Sequence, residues 1–595
     1  MTPPVTALAF AFTITTSAAA ADIFDYIIVG AGTSGLVVAN RLSEDPSVSV
    51  AVIEPGNDER DNVNVTGTDK FMQAFGTAID WSYKTTPQLN ADGRVFDLHQ
   101  GKAWGGTSTI NGMTYIRGNV AEFDAWEMLG NPGWNWAGLF PYFKKSERYI
   151  VPGESQLAAG ATYEARYHGN DGPLHVGYPP GLRNGSFAPP ITQTWTALSL
   201  PHNPDLNGGD VRGFSIGPQT LDPGRNIRWD AARAYYHPVE HRRNLKMIRG
   251  TVKRISWAKR KQSGKLIATG VGVLDDEGKT TAVRARKEVI VSAGALRTPL
   301  VLEASGIGNP RILRALGIEP RVNLPGVGEN LVEQPSHLLF FAGALEPSAS
   351  AYHTYVTAAD LFGDNLGAVK ETVRANLGKW ARAAVESSEQ GSLEVEALEK
   401  LLRIQHNLIF ERNVTVGEIL TVTGIPGDAS LASNYWILHP FSRGNVHLRS
   451  LDDINDPAID LRIFLADFDV SVLTAVGRFA KKFWFTEPVK TQAGVTGPPV
   501  VSGITPLPNN ATDAQWDAHL RETIAANSHP VGTASMMPRE LGGVVDPELR
   551  VYGTANVRIV DASVLPSQIS GHLTAALYAV SERASDIIRK TRRHH

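Results

Sequence analysis

The sequence predicts an α/β fold in which a domain with a parallel sheet is interleaved with a second domain. A short β-branched run at 26–29 (YIIV) leads into a glycine-rich turn, then into helical spacing over 36–42 and a second apolar run at 48–53. Such runs are typical of strands that are buried on both faces. The chain has 595 residues, too many for one hydrophobic core, and we find no internal repeat and no low-complexity linker.

The composition excludes several classes of function. A hydrophobic content of 42% and a charged content of 20% are typical of a globular protein, and the net charge of −3 offers no basic field for nucleic acid or for an anionic membrane surface. The sequence contains no cysteine, which excludes disulfides, thiolate metal sites and cysteine nucleophiles. No metal-binding motif is present, and we expect a small-molecule partner.

The first 21 residues predict a secretory signal peptide, because they are apolar and small and end in alanines before Asp22. They lack Lys and Arg, so a disordered or buried amino-terminal segment is the alternative. Elsewhere no stretch reaches the roughly 18 uncharged apolar residues that a membrane span needs. Four Asn-x-Ser/Thr sequons agree with a secreted, N-glycosylated protein; they lie at Asn64, Asn184, Asn413 and Asn510.

The turn at 30–35 (GAGTSG) predicts a dinucleotide site. Gly30 permits the tight turn after the strand, Gly32 allows the backbone to approach a pyrophosphate, and Gly35 allows close packing of helix on strand. Glu54 ends the second apolar run, about twenty residues on, where an acid accepts hydrogen bonds from a ribose. These residues alone leave NAD and FAD as alternatives.

A second small-residue segment, GKAWGGTSTIN at 101–111, would leave its backbone N–H groups unshielded. Successive N–H groups of this kind bind anionic oxygen. Gly106 and Thr107 would therefore face the cofactor from its other side, and Asn111 would bring an amide to the edge of a redox ring. A glycine-rich surface turn is the alternative for this segment taken alone.

Four segments together resemble the glucose-methanol-choline (GMC) family of FAD oxidoreductases: 101–118, 294–308 (GALRTPLVLEASGIG), 327–334 (VGENLVEQ) and 528–538 (SHPVGTASMMP). The likeness extends from about residue 24 to 590 and is strongest to fungal glucose oxidases, FAD glucose dehydrogenases and patulin synthase-like enzymes. Trp104 departs from the first signature, where an aliphatic residue is usual.

The resemblance implies a Rossmann-like FAD-binding domain interleaved with a substrate domain, an antiparallel sheet flanked by helices. We expect the FAD-binding domain at 22–95, 225–320 and 545–592, and the substrate domain at 96–224 and 321–544. Ile110 and its neighbours include no histidine of the kind that attaches flavin covalently, so we expect non-covalent FAD. The residues expected to hold FAD are Gly30, Gly32, Thr33, Ser34, Gly35, Glu54, Gly106, Thr107, Asn111, Val252, Asp561 and Ala562.

Oxidation of an alcohol by a flavin needs a base for the hydroxyl proton, and histidine accepts a proton near neutrality. By the resemblance, two residues near the carboxyl end face the flavin, and the matching positions are His529 and His572. We assign His529 as the principal base and His572 as its hydrogen-bonding partner, with the exchanged roles as the alternative. Glu418 matches an acid that orients the second histidine; a surface carboxylate is the alternative.

The resemblance fails at two substrate positions. Glucose-specific members have an arginine four residues before the first histidine, and this chain has Ala525. Asn527 can still bind a hydroxyl, but Ser528 replaces the usual aromatic. Loss of a charged donor weakens recognition of a sugar severely. We therefore expect a primary alcohol on a small aromatic, furanoid or lactone-like molecule, with a sugar as the alternative.

Two readings from other classes compete with an alcohol oxidoreductase. One is a lyase similar to the hydroxynitrile lyases of this family, and the other is a flavoprotein without catalysis. The sequence leaves oxygen and a quinone-like compound as alternative electron acceptors, and a homodimer is one alternative for the assembly.

Overall fold

The structure is a computed structural model that describes residues 22–182, 187–343, 345, 351–425, 430–500 and 507–592. The predicted signal peptide and the sequon at Asn184 lie outside the described residues. Among the helices of this described part, none is both long enough and apolar enough to cross a membrane.

Two seven-stranded sheets organise the chain. Their strands are β1 (Ile23–Val29), β2 (Val50–Glu54), β3 (Gly213–Ile216), β4 (Leu245–Arg249), β5 (Thr251–Trp257), β6 (Ala268–Leu274), β7 (Thr280–Val291), β8 (Pro335–Ala342), β9 (Tyr352–Thr357), β10 (Thr415–Ile425), β11 (Ser430–Ile437), β12 (Thr496–Val500), β13 (Ala525–Ala526) and β14 (Val557–Ile559). Short two-stranded ribbons pair Tyr83–Lys84 with Asp97–Leu98, Glu147–Tyr149 with Leu174–Val176, Leu221–Asp222 with Ile227–Arg228, Ile307–Gly308 with Val322–Asn323, and Asn445–Leu448 with Pro457–Asp460.

The α-helices cover the faces of these sheets and connect them. They are α1 (Thr33–Leu42), α2 (Val63–Thr66), α3 (Val120–Met128), α4 (Trp136–Ser146), α5 (Glu154–Ala158), α6 (Ala188–Ala197), α7 (Thr298–Ala304), α8 (Pro310–Ala315), α9 (Ala358–Phe362), α10 (Leu366–Glu386), α11 (Val395–Phe410), α12 (Asp467–Trp484), α13 (Val489–Gln492), α14 (Asp513–Thr523) and α15 (Leu573–Arg592).

The first sheet has the order β4-β2-β1-β7-β6-β5, and β14 pairs with β7 beyond this path. Strands β4, β2, β1, β7 and β14 run parallel, whereas β5 and β6 join as antiparallel neighbours. Its core strands are almost fully buried, as their continuous apolar runs predict. The strands come from segments far apart in sequence, so the carboxyl-terminal residues complete a sheet that the amino-terminal residues begin.

The second sheet is antiparallel, with the order β12-β8-β11-β10-β9-β3 and β13 paired to β8. The mixed α/β fold with one parallel and one antiparallel sheet confirms the predicted fold class. The division into domains at the stated boundaries stays a prediction, although each strand of the parallel sheet falls within the segments expected for the FAD-binding domain.

Helices α10 and α11 are separated by a break at 387–394, where Gly391 has φ +82°. Arg462 caps the end of α10, because its guanidinium donates to the carbonyls of Ala384 and Ser387 at 2.8 Å each. The buried faces of both helices pack in the main hydrophobic core, as expected of a structural element.

Candidate active site

The glycine turn after β1 is sterically required. Gly30 has φ +103°, and a Cβ there would lie 2.4 Å from the Ser292 carbonyl oxygen. A Cβ on Gly35 would lie 2.1 Å from the Gly30 oxygen. Helix α1 then starts after Gly32, with no side-chain cap and no acid in its first turn. The first N–H groups of the helix, including those of Thr33 and Ser34, are therefore available to an anion.

The second glycine segment packs directly against this turn. A Cβ on Gly106, which has φ +52°, would lie 2.6 Å from Cα of Gly32. By contrast, a Cβ on Gly112 or Gly294 would meet no atom within 4 Å. Close packing at the turn with open space beside it is what a cradle for a dinucleotide requires. The Thr107 hydroxyl accepts from the Gly101 N–H at 3.1 Å, which fixes the segment.

Glu54 is buried at the carboxyl end of β2. Its carboxylate accepts the N–H of Ala31 at 3.0 Å and that of Gly56 at 2.8 Å. Burial raises the pKa of Glu54 against these hydrogen bonds. Because each carboxylate oxygen has a second lone pair, Glu54 can hold the glycine turn and still accept a ribose hydroxyl.

The Asn111 amide is held between helix α15 and the short strand Ile227–Arg228. Its nitrogen donates to the Thr574 hydroxyl at 3.1 Å, and its oxygen accepts from the Arg228 guanidinium at 2.7 Å. Arg228 is fully buried, and its Nη2 has no hydrogen-bond partner in the described part of the chain. Burial lowers the pKa of Arg228 to about 10. Sequence reasoning did not identify Arg228. Its Nη2 is a buried donor beside Asn111, which the sequence did predict to contact the cofactor.

Asp561 ties the carboxyl-terminal segment to the second signature. Its carboxylate accepts the Gly294 N–H at 2.9 Å and the Thr298 hydroxyl at 2.5 Å. Ala562 follows in a short 3₁₀ helix, and Val252 lies buried in β5 of the same sheet. The predicted cofactor residues thus lie around one edge of the parallel sheet. They fit a bound dinucleotide, because three features lie next to one another. These are the glycine turn, the open space at Gly112 and Gly294, and the N-terminus of α1 with its unpaired N–H groups.

The tautomer of His529 follows from Gln334. The Gln334 amide nitrogen donates to the Leu438 carbonyl at 3.0 Å, which turns its oxygen towards His529. This oxygen lies 2.8 Å from Nδ1 of His529, whereas the amide nitrogen of Asn527, a donor, lies farther from the same atom, at 3.1 Å. The shorter contact favours the hydrogen on Nδ1, which leaves a lone pair on Nε2. The backbone of His529 is held by Glu333 Oε1, which accepts its N–H at 3.0 Å, and by Gln568, which donates to its carbonyl at 2.6 Å.

Burial, together with the charge of His572, lowers the pKa of His529 to about 3. The ring is therefore neutral around pH 7, as a proton acceptor must be. Burial likewise raises the pKa of Glu333 to about 8, against its backbone hydrogen bonds, and its second oxygen has no partner among the described residues.

His572 directly precedes helix α15, as the sequence predicts. Its N–H donates to the Ile116 carbonyl at 3.0 Å, and its Nε2 lies 3.2 Å from Oε1 of Glu418. The His529 and His572 ring centroids are 5.6 Å apart, with the planes at 82°. The two imidazoles therefore meet edge to face, and each has one ring nitrogen anchored and the other free for a substrate.

Glu418 is 1% exposed and receives a second imidazole. Nδ1 of His353 lies 2.8 Å from the same Oε1 that His572 contacts. Burial raises the pKa of Glu418, but the charge of His572 and the hydrogen bond from His353 outweigh it and hold the pKa at about 2. Glu418 is thus an ionised carboxylate between two imidazoles.

The register of the antiparallel sheet explains this arrangement. Tyr355 in β9 is paired with Glu418 in β10, which is paired with Trp436 in β11. Side chains two residues apart on a strand share a face, so His353 lies on the same face as Tyr355. Trp436 also meets His572 edge to face, at 5.8 Å between centroids. One face of the sheet therefore presents an acid, an imidazole and aromatic rings to the histidine pair.

The predicted substrate residues next to His529 make different contacts. The amide nitrogen of Asn527 lies 3.1 Å from Nδ1 of His529. The Ser528 hydroxyl accepts the His99 N–H at 3.1 Å, and Ser528 has φ +59°. Ala525 is exposed in β13, which pairs with β8.

Sequence reasoning missed His353, because it lies 65 residues from Glu418 and only strand pairing brings the two together. It also missed Gln334, although that residue ends the quoted VGENLVEQ segment. A polar residue that ends a signature segment was the available signal for Gln334.

The arrangement can remove a proton from a hydroxyl group next to a bound dinucleotide. Comparison with known proteins agrees with this chemistry. The family model "GMC oxidoreductase" matches twice, its amino-terminal part at residues 24–336 and its carboxyl-terminal part at residues 440–581. The two matches together cover more than half of the chain.

Individual relatives and solved structures are also oxidoreductases by name. The "Glucose oxidase-like protein fsoC" of Humicola fuscoatra is 68% identical, with 98% of each chain covered. The glucose oxidase of Penicillium chrysogenum is 31% identical, over 95% of this chain and 92% of its own. The structure of an FAD-dependent oxidoreductase from Chaetomium thermophilum matches with a TM-score of 0.87 at 29% identity, covering 96% of this chain and 100% of that one.

A fungal aryl-alcohol oxidase structure matches with a TM-score of 0.83 at 27% identity, over 96% of this chain and 99% of that one. The family resemblance and the enzyme class predicted from the sequence are confirmed. The chain belongs to the GMC oxidoreductase family and is an FAD-dependent oxidoreductase that acts on CH–OH donors.

Proposed function

We propose that this enzyme oxidises a primary alcohol on a small aromatic, furanoid or lactone-like molecule, with His529 as the base. The observation that carries the proposal is the histidine pair, 5.6 Å between ring centroids and perpendicular, with one nitrogen of each ring anchored by its own partner. A hydroxyl group placed between the free nitrogens can donate its single hydrogen to Nε2 of His529, while its oxygen lies beside Nδ1 of His572.

His529 takes the hydroxyl proton on Nε2. Gln334 holds the hydrogen on Nδ1, so the lone pair needed for the transfer is on the other nitrogen. The imidazolium that forms keeps its hydrogen bond to Gln334. Bound FAD supplies the acceptor for the hydride that leaves the alcohol carbon.

His572 orients the substrate oxygen, and Glu418 orients His572. The carboxylate accepts from Nε2 of His572, which leaves Nδ1 of that ring for the substrate. Because Glu418 is ionised and buried, it also favours a positive charge nearby during the transfer. The predicted cofactor residues hold FAD non-covalently in this proposal.

Three features support a substrate other than a sugar. Ala525 cannot donate a hydrogen bond where glucose-specific members have arginine. The Ser528 hydroxyl is already bonded to the backbone of His99, so it contributes less to a polyol site. Trp436 adds an aromatic surface at His572. The aryl-alcohol oxidase among the structural matches agrees with this choice.

Oxidation of a sugar is the second candidate, because several relatives are named glucose oxidase. Steady-state assays on benzyl alcohol, furfuryl alcohol and D-glucose separate the two. We expect kcat/KM to be higher for the aryl and furfuryl alcohols. A clear preference for D-glucose would overturn the substrate proposal and leave the histidine chemistry intact.

The relatives named glucose oxidase support oxygen as the electron acceptor. Peroxide formation in air, compared with reduction of a quinone dye under nitrogen, tests this. Anaerobic mixing with a substrate alcohol must also bleach the yellow flavin. A lyase would release product without bleaching.

We also propose that the protein is secreted and N-glycosylated. Among the described sequons, Asn413 and Asn510 are exposed, whereas the Asn64 amide is half-buried and donates to the Gln73 carbonyl at 3.3 Å. Glycan mapping of protein from the culture medium should find Asn413 and Asn510 occupied. Retention of all the protein in the cells would contradict secretion.

A further inference from the structure

The cluster around Glu418 contains one imidazole that the proposed oxidation does not use. Nδ1 of His353 lies 2.8 Å from the same Glu418 oxygen that His572 contacts, and the His353 ring lies 5.8 Å from that of His572, almost perpendicular. Nδ1 of His353, a carboxylate oxygen of Glu418 and a ring nitrogen of His572 all lie within 4.8 Å of one another. Among the described residues, no other group of three such side chains converges in this way.

The negative charge of the Glu418 carboxylate is only partly balanced by its neighbours. Glu418 is 1% exposed, and its ion-pair partners in the described ranges are the two imidazoles alone. Among the described residues no donor completes a hydrogen bond to its buried Oε2, although the Tyr355 hydroxyl, which is also without a completed hydrogen bond, lies close enough to interact with this carboxylate. A buried carboxylate oxygen without a partner is costly, and a cation at this position would remove that cost.

The donor set selects the kind of cation. Two imidazole nitrogens and one carboxylate oxygen suit Zn²⁺ and Cu²⁺, whereas Ca²⁺ and Mg²⁺ prefer oxygen ligands alone. Glu418 Oε1 lies 2.8 Å from Nδ1 of His353 and 3.2 Å from Nε2 of His572. These distances are close to the spacing between two ligands that each bind the same metal ion at about 2.0–2.2 Å.

We propose that His353, Glu418 and His572 form a binding site for Zn²⁺ or Cu²⁺, and that the bound ion inhibits the enzyme. Each ring binds the ion through the nitrogen that now contacts Glu418; the hydrogen on that nitrogen moves to the other ring nitrogen, and any further proton goes to solvent. The positive ion then lies beside the histidine pair and opposes the positive charge that forms on His529 when it takes the hydroxyl proton. This inhibitory effect rests on the proposed role of His529, whereas the binding itself does not.

The test uses the FAD-loaded enzyme after dialysis against EDTA. Calorimetric titration with ZnCl₂ should show one ion per FAD, and Cu²⁺ should give an EPR spectrum with coupling to two imidazole nitrogens. His353→Gln keeps a donor for Glu418 but lacks the imidazole ligand, so Zn²⁺ affinity should fall by on the order of 100-fold. His241→Asn, at an exposed histidine, should leave affinity unchanged.

The outcomes test the metal site and the inhibition separately. Absence of stoichiometric binding, or Zn²⁺ affinity in His353→Gln and Glu418→Gln that equals that of the wild type, would overturn the metal site, whether or not the enzyme oxidises alcohols. Binding without inhibition of alcohol oxidation would overturn the inhibitory effect and would count against the role of His529 as the base. Loss of inhibition in His353→Gln, measured against the metal-free rate of that same variant, would support both.

Discussion

Nδ1 of His529 lies 2.8 Å from Oε1 of Gln334, and this contact selects the ring nitrogen that stays free to accept a proton. The Gln334 amide cannot turn over without losing its hydrogen bond to the Leu438 carbonyl. Gln334 is therefore a positioning residue for His529, and it acts through the tautomer of the ring.

Gln334→Leu should lower the rate of flavin reduction about 10- to 100-fold, because the imidazole loses its fixed tautomer and orientation. Gln334→Glu keeps an acceptor at Nδ1 and should recover part of the rate. The measurement is anaerobic stopped-flow absorbance with a saturating alcohol. FAD content should stay at wild-type level in both variants, and equal rates in the two would contradict a role through the tautomer.

His529→Asn should slow flavin reduction by about 10²- to 10⁴-fold, the usual effect of removing a general base. His572→Asn should slow it less, because that ring orients the substrate oxygen in the proposed mechanism. The same single-turnover assay compares the two. If the His572 variant were the slower one, the two roles would have to be exchanged.

Ala525→Arg should raise kcat/KM for D-glucose by about 10- to 100-fold, since a hydrogen bond from a charged donor contributes about 1.5–3 kcal/mol. Ala525→Met, of similar length but without a donor, is the matched control and should not raise it. Steady-state kinetics on D-glucose and benzyl alcohol provide the measurement. An equal gain in both variants would show that side-chain bulk, and not hydrogen bonding, limits sugar binding.

Gly106→Ala should yield protein with substoichiometric FAD, because the added Cβ would lie 2.6 Å from Cα of Gly32. Gly278→Ala is the matched control: Gly278 also has positive φ, at +81°, but a Cβ there meets nothing within 4 Å. The ratio of flavin absorbance to protein absorbance after purification checks this. Full FAD occupancy in Gly106→Ala would show that the two glycine segments do not form the cofactor cradle.

His447 should make stability depend on pH in the alkaline range. It lies 2.7 Å from Glu303 Oε1 and 3.2 Å from Glu329 Oε1, and although burial opposes its charge, the two carboxylates raise its pKa to about 10. The pKa of His447 is above the ordinary value of about 6.5. Its contribution to the free energy of unfolding is therefore complete below about pH 6.5 and is lost as the pH rises towards 10.

His447→Leu leaves both carboxylates buried without a cation and should reduce the free energy of unfolding by about 3–5 kcal/mol near neutral pH. Calorimetric Tm values of the FAD-loaded enzyme across this pH range should show an alkaline decline that is steeper in the wild type than in the variant. His241→Leu, at an exposed position, controls for loss of a histidine as such. A Tm near pH 7 that is equal in His447→Leu and wild type would contradict this assignment.

The parts of the fold that follow from local patterns were predictable. Residues of the glycine turn and Glu54 adjoin in the structure because strand, turn and helix are consecutive in sequence. The pairing of His529 with His572 came from the family resemblance and not from spacing. The approach of His353 to Glu418 was not predictable, because it depends on the register between β9 and β10. Arg462 comes from a distant segment and binds a carbonyl at the end of α10, a contact that no local pattern predicts.

The carboxyl-terminal segment has a consequence for biosynthesis. Strand β14 completes the parallel sheet beside β7, and Glu582 in α15 accepts from the Arg41 guanidinium of α1 at 2.6 Å. These contacts form only after residues 557–592 have left the ribosome, so Asp561 and Ala562 join the predicted cofactor site late in folding. Proteolysis that removes these residues should therefore yield protein that lacks FAD.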